Sequence, residues 1–143
     1  PTPTPTPTPS YIPESSFGQF TYDSGPDVLY TYFSTSIILN SKGTGGETIY
    51  NGTLTITQSN TTISLYGFGG TGGSTTQGLC TISGIDTYNL DTGVLGPSGG
   101  QQSTDQVTII TPGTYNVSLT ANFFTNYNAP SSANNIRLSI LNI

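Results

Sequence analysis

From Thr114 to Phe124 the chain alternates, with Tyr115, Val117, Leu119, Ala121 and Phe123 apolar or aromatic and Asn116, Ser118, Thr120 and Asn122 polar between them. Successive side chains of a strand leave on opposite faces, so this run has one face to bury and one to wet. A helix would scatter the same residues around its circumference. Val107 to Ile110, followed by Thr111, Pro112 and Gly113, reads as strand, turn, strand. From Phe17 onward no sustained i, i+3, i+4 apolar pattern occurs, and 18 glycines with abundant Thr and Tyr favour strands and turns. Further strands are expected near Gln19 to Tyr22, Val28 to Asn40, Thr48 to Gln58, Thr61 to Phe68, Leu79 to Tyr88 and Asn135 to Ile143. Loops are expected at Lys42 to Gly46, Gly67 to Gly73 and Gly93 to Gln102. About eight strands in one domain predict an all-β fold, an antiparallel β-sandwich of jelly-roll type.

Residues 1–9 alternate Pro and Thr. Proline at every second position removes backbone donors and fixes φ, so this segment is expected to be extended polyproline II, spanning roughly 28 Å. The expected division is an arm or linker over 1–16 and a sandwich domain over 17–143. Thr2, Thr4, Thr6 and Thr8 are the candidates for O-glycosylation. Tyr11, Ile12 and Phe17 place sticky side chains near the end of the arm and are the candidates for assembly contacts.

Net charge is −5, charged residues are 6% of the chain, and Lys42 and Arg137 are the only basic side chains. Two cations cannot neutralise a phosphate backbone, which excludes a nucleic-acid partner. No apolar run has the length of a membrane span. Solubility must come from hydroxyls and amides, a surface suited to extracellular or cell-surface proteins, fibres and glycoproteins. The chain has no His, which removes the usual general base and most zinc sites. The remaining catalytic options are carboxylate pairs, Asp86 with Asp91 or Asp23 with Asp27. Both pairs sit at Gly-bearing turns, where Asp is favoured for turn chemistry alone. Cys80, the single cysteine, lies between Leu79 and Ile82 and reads as a small buried hydrophobe. The glycine run from Gly67 to Gly73 lacks the Lys-Ser/Thr ending of a phosphate loop. No enzyme activity, metal or cofactor is expected.

Sequons occur at Asn51, Asn60 and Asn116. In a chain so rich in Ser and Thr three are expected by chance, so position carries the argument. Asn60 falls at an expected hairpin tip and Asn116 on the polar face of its strand, where both can carry sugar. Nine Tyr and six Phe without Trp can form core, interface or a sugar-stacking platform, the exposed candidates being Tyr11, Tyr22, Tyr30, Tyr32 and Tyr127. Two strands break simple alternation. Val28 to Leu39 carries apolar groups in both phases, and the C-terminal run shifts phase between Ile140 and Leu141. Each is read either as a bulge or covered strand, or as a surface covered by a neighbouring subunit.

The Pro-Thr arm, hydroxyl richness and low charge resemble subunits of glycan-coated extracellular filaments of aquatic microbes, the glycofibrils. The arm with a compact all-β unit also resembles linker-borne carbohydrate-binding modules of secreted plant-wall hydrolases, although those usually rely on Trp. The segment Pro112-Gly-Thr-Tyr-Asn-Val-Ser is similar to a strand opening of C1q-like and viral jelly rolls, but too few residues follow it for the C1q topology. An open sandwich with little charge to protect its edges is expected to close them by head-to-tail donation of the arm as an edge strand, so the leading expectation is a filament subunit with covalent glycans and other copies of the chain as partners. The alternative it leaves is a carbohydrate-binding or lectin-like domain with bound carbohydrate as partner.

Overall fold

The computed structural model describes residues 17–24, 30–40, 46–70, 74–97, 100–125 and 134–141. Among them there is no helix, hence none long and apolar enough to cross a membrane. Ten strands are present: β1 (Gly18–Ser24), β2 (Tyr30–Phe33), β3 (Ser36–Asn40), β4 (Gly46–Ile56), β5 (Thr61–Gly69), β6 (Ser74–Ser83), β7 (Tyr88–Asp91), β8 (Gln101–Ile109), β9 (Gly113–Thr125) and β10 (Asn135–Ile140). They form two five-stranded sheets, β1-β4-β9-β6-β7 and β2-β3-β10-β5-β8, with every pairing antiparallel.

The pairings are nested. β3 pairs with β10, β4 with β9, β5 with β8 and β6 with β7. A long two-stranded ribbon rolled up on itself has this order, and it is the jelly roll that the alternation predicts. β1 and β2 add one outer strand to each sheet. The inward residues of β9, Tyr115, Val117, Leu119, Ala121 and Phe123, are all buried, and they meet Ile37, Leu39, Ile63, Leu65, Ile136, Leu138 and Ile140 of the facing sheet within one core cluster.

The two sides where the sheets would gape are stitched. On one side the Phe20 amide of β1 donates to the Ser34 carbonyl in the turn between β2 and β3, at 2.7 Å. On the other, the Asp91 amide of β7 donates to Asp105 Oδ2 on β8, at 2.9 Å. Asp105 sits at an inward position of an edge strand, where its charge also discourages a further strand from pairing. Beyond β7, Thr76 and Leu95 exchange both backbone hydrogen bonds, at 2.8 and 2.9 Å, and carry the chain from one sheet toward the other.

Several expectations are corrected. Val28 to Asn40 is not one strand. Phe33 lies opposite Ser36 across the two-residue loop Ser34–Thr35, so the run is a β2–β3 hairpin and its alternation cannot be counted through the turn. Leu79 to Tyr88 is likewise split by the β6–β7 turn. Asn60 is not at a hairpin tip, because β4 and β5 belong to opposite sheets. It occupies the connection between them with φ of 60°, a left-handed conformation that Asn tolerates. Gly67 and Phe68, where the expected strand and loop overlap, are strand; Gly69 and Gln101 to Gln102 are strand rather than loop, and Gly46 opens β4. At the C-terminus β10 ends at Ile140, and the change of phase at Leu141 marks the end of the strand. Leu141 is 48% exposed and its amide donates to the Thr62 carbonyl.

Gly52 of β4, Gly67 and Gly69 of β5 and Gly78 of β6 are inward positions left empty for neighbours. A methyl group at Gly52 would lie 2.1 Å from the Thr21 carbonyl oxygen and 2.2 Å from the Tyr50 hydroxyl, and at Gly78 it would lie 2.8 Å from Ile136. Tyr50 is fully buried, and its hydroxyl passes over Gly52 to donate to the Thr21 carbonyl at 2.6 Å, tying β1 to β4.

Gly52→Ala is expected to destabilise by about 2–4 kcal/mol, since neither the backbone oxygen nor the hydrogen-bonded hydroxyl can yield. Val117→Asp is expected to cost several kcal/mol, roughly 3 or more, and the adjacent Ser118→Asp about 0.5 kcal/mol or less. Urea denaturation of the three variants checks this, and equal losses at 117 and 118 would contradict the face assignment.

Candidate functional site

The outward face of the β2-β3-β10-β5-β8 sheet is set by register. Ile38, Arg137, Tyr66 and Thr104 lie side by side on β3, β10, β5 and β8. The row to one side is Ser36, Ser139, Ser64 and Gln106, and to the other Asn40, Asn135, Phe68 and Gln102. A half-buried aromatic therefore stands directly across the strand pair from an exposed guanidinium, with Cβ atoms about 5 Å apart. Phe68 follows Tyr66 on the same face, and its ring lies across Gly100, where a methyl group would be 2.8 Å from the ring.

At the β3–β10 end of this row a groove of about 380 Å³ is lined by Thr35, Ser36, Ile38, Arg137, Ser139, Ile140 and Leu141. Its lining combines hydroxyls, aliphatic side chains and one cation. Among the described residues Arg137 is the only basic side chain, and no hydrogen bond or ion pair to a described partner engages it. No described carboxylate occupies this face. Glu47 and Asp91 lie on the outer face of the other sheet, Asp86 is in the β6–β7 turn, and Asp105 points inward.

The sequon residues fall elsewhere. Asn51 lies opposite Ser118, and Asn116 opposite Thr53, so the two asparagines share the outer face of β4 and β9. Together with Thr81, Ser83 and Ser118 they line a second groove of about 240 Å³. Asn116 is exposed and Asn51 half-buried; Asn60 is exposed on its inter-sheet turn. Phe17 packs partly buried against the core, and its carbonyl accepts the Thr57 amide at 2.8 Å. Thr2, Thr4, Thr6, Thr8, Tyr11 and Ile12 lie outside the described residues, and the side chains of Tyr22, Tyr30, Tyr32 and Tyr127 lie outside those described.

Of the two carboxylate pairs, Asp86 and Asp91 are not gathered into a site, and the side chains of Asp23 and Asp27 lie outside those described. Asp91 Oδ1 accepts from the Gly93 amide at 2.7 Å and from Gln77 Nε2 at 3.0 Å, which is turn duty. Asp86 stands in the turn at the other end of β7, and Asp27 lies outside the described residues. Among the described residues no three His, Cys, Asp or Glu side chains group to hold a metal ion. Cys80 is buried and free, and desolvation pushes its thiol up to about 12. Burial, with smaller contributions from Tyr88 and Asp86, raises Tyr115, whose hydroxyl donates back to the Thr111 carbonyl at 2.6 Å and pins the β8–β9 turn.

Tyr66, Phe68 and Arg137 are absent from the site residues expected from sequence. Tyr66 and Phe68 alternate with Leu65 and Gly67, and this period of two was the available signal. The expected strand Thr61 to Phe68 contains both aromatics; what the local sequence does not carry is that β10 pairs with β5 and sets Arg137 beside Tyr66.

No protein-family model matches the chain, and no curated protein matches it significantly. Solved structures with similar chain traces include TmCBM61 in complex with beta-1,4-galactotriose, with TM-score 0.41 and 8% identity, covering 91% of each chain. A CBM35 from Cellvibrio japonicus Abf62 gives TM-score 0.40 and 19% identity over 90% of this chain and 87% of that one. Xyl-CBM35 in complex with a glucuronic acid containing disaccharide gives 0.40 and 18% over 90% and 88%. Similarity at this level transfers no ligand, site or activity.

The Cys80 thiol is predicted to resist a thiol-reactive chromophore at pH 8 in the folded protein and to react at once in denaturant. The folded state holds this proton more tightly than the unfolded chain, whose thiol titrates near 9.0. Its contribution to stability is therefore complete below about pH 9 and falls as pH rises toward 12. Denaturation midpoints between pH 8 and 10.5 should decline in the native sequence and decline less in Cys80→Ala.

Proposed function

We propose that the chain is a non-catalytic, extracellular carbohydrate-binding domain whose ligand lies on the outer face of the β2-β3-β10-β5-β8 sheet. The observation that carries this reading is the juxtaposition of Tyr66 with Arg137 at the edge of the hydroxyl-lined groove. A sugar presents an apolar ring face ringed by hydroxyls. It calls for an aromatic surface with donors and acceptors at its margin, and Ser36, Ser139, Thr104, Asn40 and Gln102 surround the aromatic row in that way. Strands fix these groups more firmly than loops would, so little ordering is lost on binding.

The filament reading drew its physical force from open sheet edges that need a donated strand. The Phe20–Ser34 and Asp91–Asp105 hydrogen bonds tie the described edges together across the sheets, which lessens that need. The glycan reading is therefore the better supported of the two.

Affinity electrophoresis against immobilised neutral and acidic polysaccharides tests it. Retardation by at least one polymer is expected, and Tyr66→Ala should weaken it roughly fivefold, as loss of an aromatic contact of about 1 kcal/mol implies. Asn116→Gln, on the opposite sheet, should bind as the native protein does. No retardation by any polymer, or retardation indifferent to Tyr66, would overturn the reading.

A further inference from the structure

We infer that the saccharide taken by this face carries a carboxylate and that Arg137 is its seat. The inference rests on the carbohydrate reading of the same surface and adds the ligand's charge.

Arg137 is held by the middle of β10, between β3 and β5, so its Cα is fixed by hydrogen-bonded neighbours on both sides. It is exposed, and among the described residues nothing satisfies its donors. None of the described carboxylates reaches this face to compete for it. Glu47 and Asp91 are on the opposite sheet, and Asp105 is turned inward and occupied by the Asp91 amide. The planar guanidinium offers a fork of N–H donors matched to the two oxygens of a carboxylate. Ser36 and Ser139 border it on one side and Tyr66 stands across from it, placing hydroxyl partners and a stacking surface around the charge. A sugar acid seated carboxylate-first on Arg137 can lay its ring toward Tyr66.

Net charge argues for the opposite preference, which makes the inference sharp. At −5 the whole molecule repels a polyanion, so any preference for an acidic saccharide must come from a local contact.

Titration calorimetry of the full chain with paired oligosaccharides tests this. Oligogalacturonate, oligoglucuronate and oligomannuronate are each compared with their methyl esters, which keep the ring and remove the charge. At least one acid should bind about tenfold or more tighter than its ester, as hydrogen bonds to a charged group imply. Arg137→Ala should abolish that preference, and Arg137→Lys should restore part of it, since ammonium supplies the charge without the fork. Acid and ester binding alike, or a preference that survives Arg137→Ala, would overturn the carboxylate inference while leaving the carbohydrate reading in place. Binding of dextran sulfate through Arg137 with no response to any carboxylate would overturn it as well. Failure of every acid, every ester and a panel of neutral polysaccharides would overturn both.

Discussion

Pairing of β4 with β9 runs unbroken from Gly46 opposite Phe123 to Ile56 opposite Gly113, and the rest of the molecule is arranged around it. Alternation along β9 decides which face of that ribbon is buried, and a one-residue slip would put Tyr115, Val117, Leu119 and Phe123 into water. Once this pair is set, β6 adds on the far side of β9 and β1 on the far side of β4, giving one sheet a dry inner face. The second sheet forms from the outer turns of the same rolled ribbon, with β10 between β3 and β5. Ile136, Leu138 and Ile140 of β10 complete the core, and the same strand turns Arg137 outward. Burial and presentation of the candidate site are thus two faces of one strand.

A sandwich poor in charge must still manage its edges, and this one does so largely with backbone groups and small residues. The Phe20 amide and the Asp105 carboxylate each reach across to the opposite sheet. Inward glycines let the sheets approach at one end. Gly67 makes room for Leu95 and Ile136, Gly69 for Thr76, and Gly78 for Ile136 again. Close approach there brings β5 and β6 together beneath the part of β5 that displays Tyr66 and Phe68.

Much of the fold was legible because burial writes itself as a period of two. The face of β9, the bounds of β4 and β5 to within two residues, the buried Cys80 and the turn role of Asp91 all follow from alternation or turn chemistry. What failed was punctuation. The Ser34–Thr35 loop contains neither Gly nor Pro, so Val28 to Asn40 read as one strand, while Gly69 read as loop although it is an inward strand position that only glycine fits. Those two errors have a common cause: local signals mark chain reversal, whereas these residues answer to packing against distant strands. The site was lost for the same reason. Arg137, Tyr66 and Ile38 are far apart in sequence, and only the order β3-β10-β5 makes them neighbours.

The central claim is that ligand occupies the outer face around Arg137 and leaves the opposite sheet bare. Two-dimensional NMR of the isotopically labelled chain, titrated with its tightest-binding oligosaccharide, tests it residue by residue. Shifts concentrated at Ile38, Tyr66, Phe68, Arg137 and Ser139, with Asn51, Asn116 and Ser118 unmoved, are the predicted result. Shifts centred on Asn51, Asn116 and Ser118, or confined to the inter-sheet connections, would contradict it.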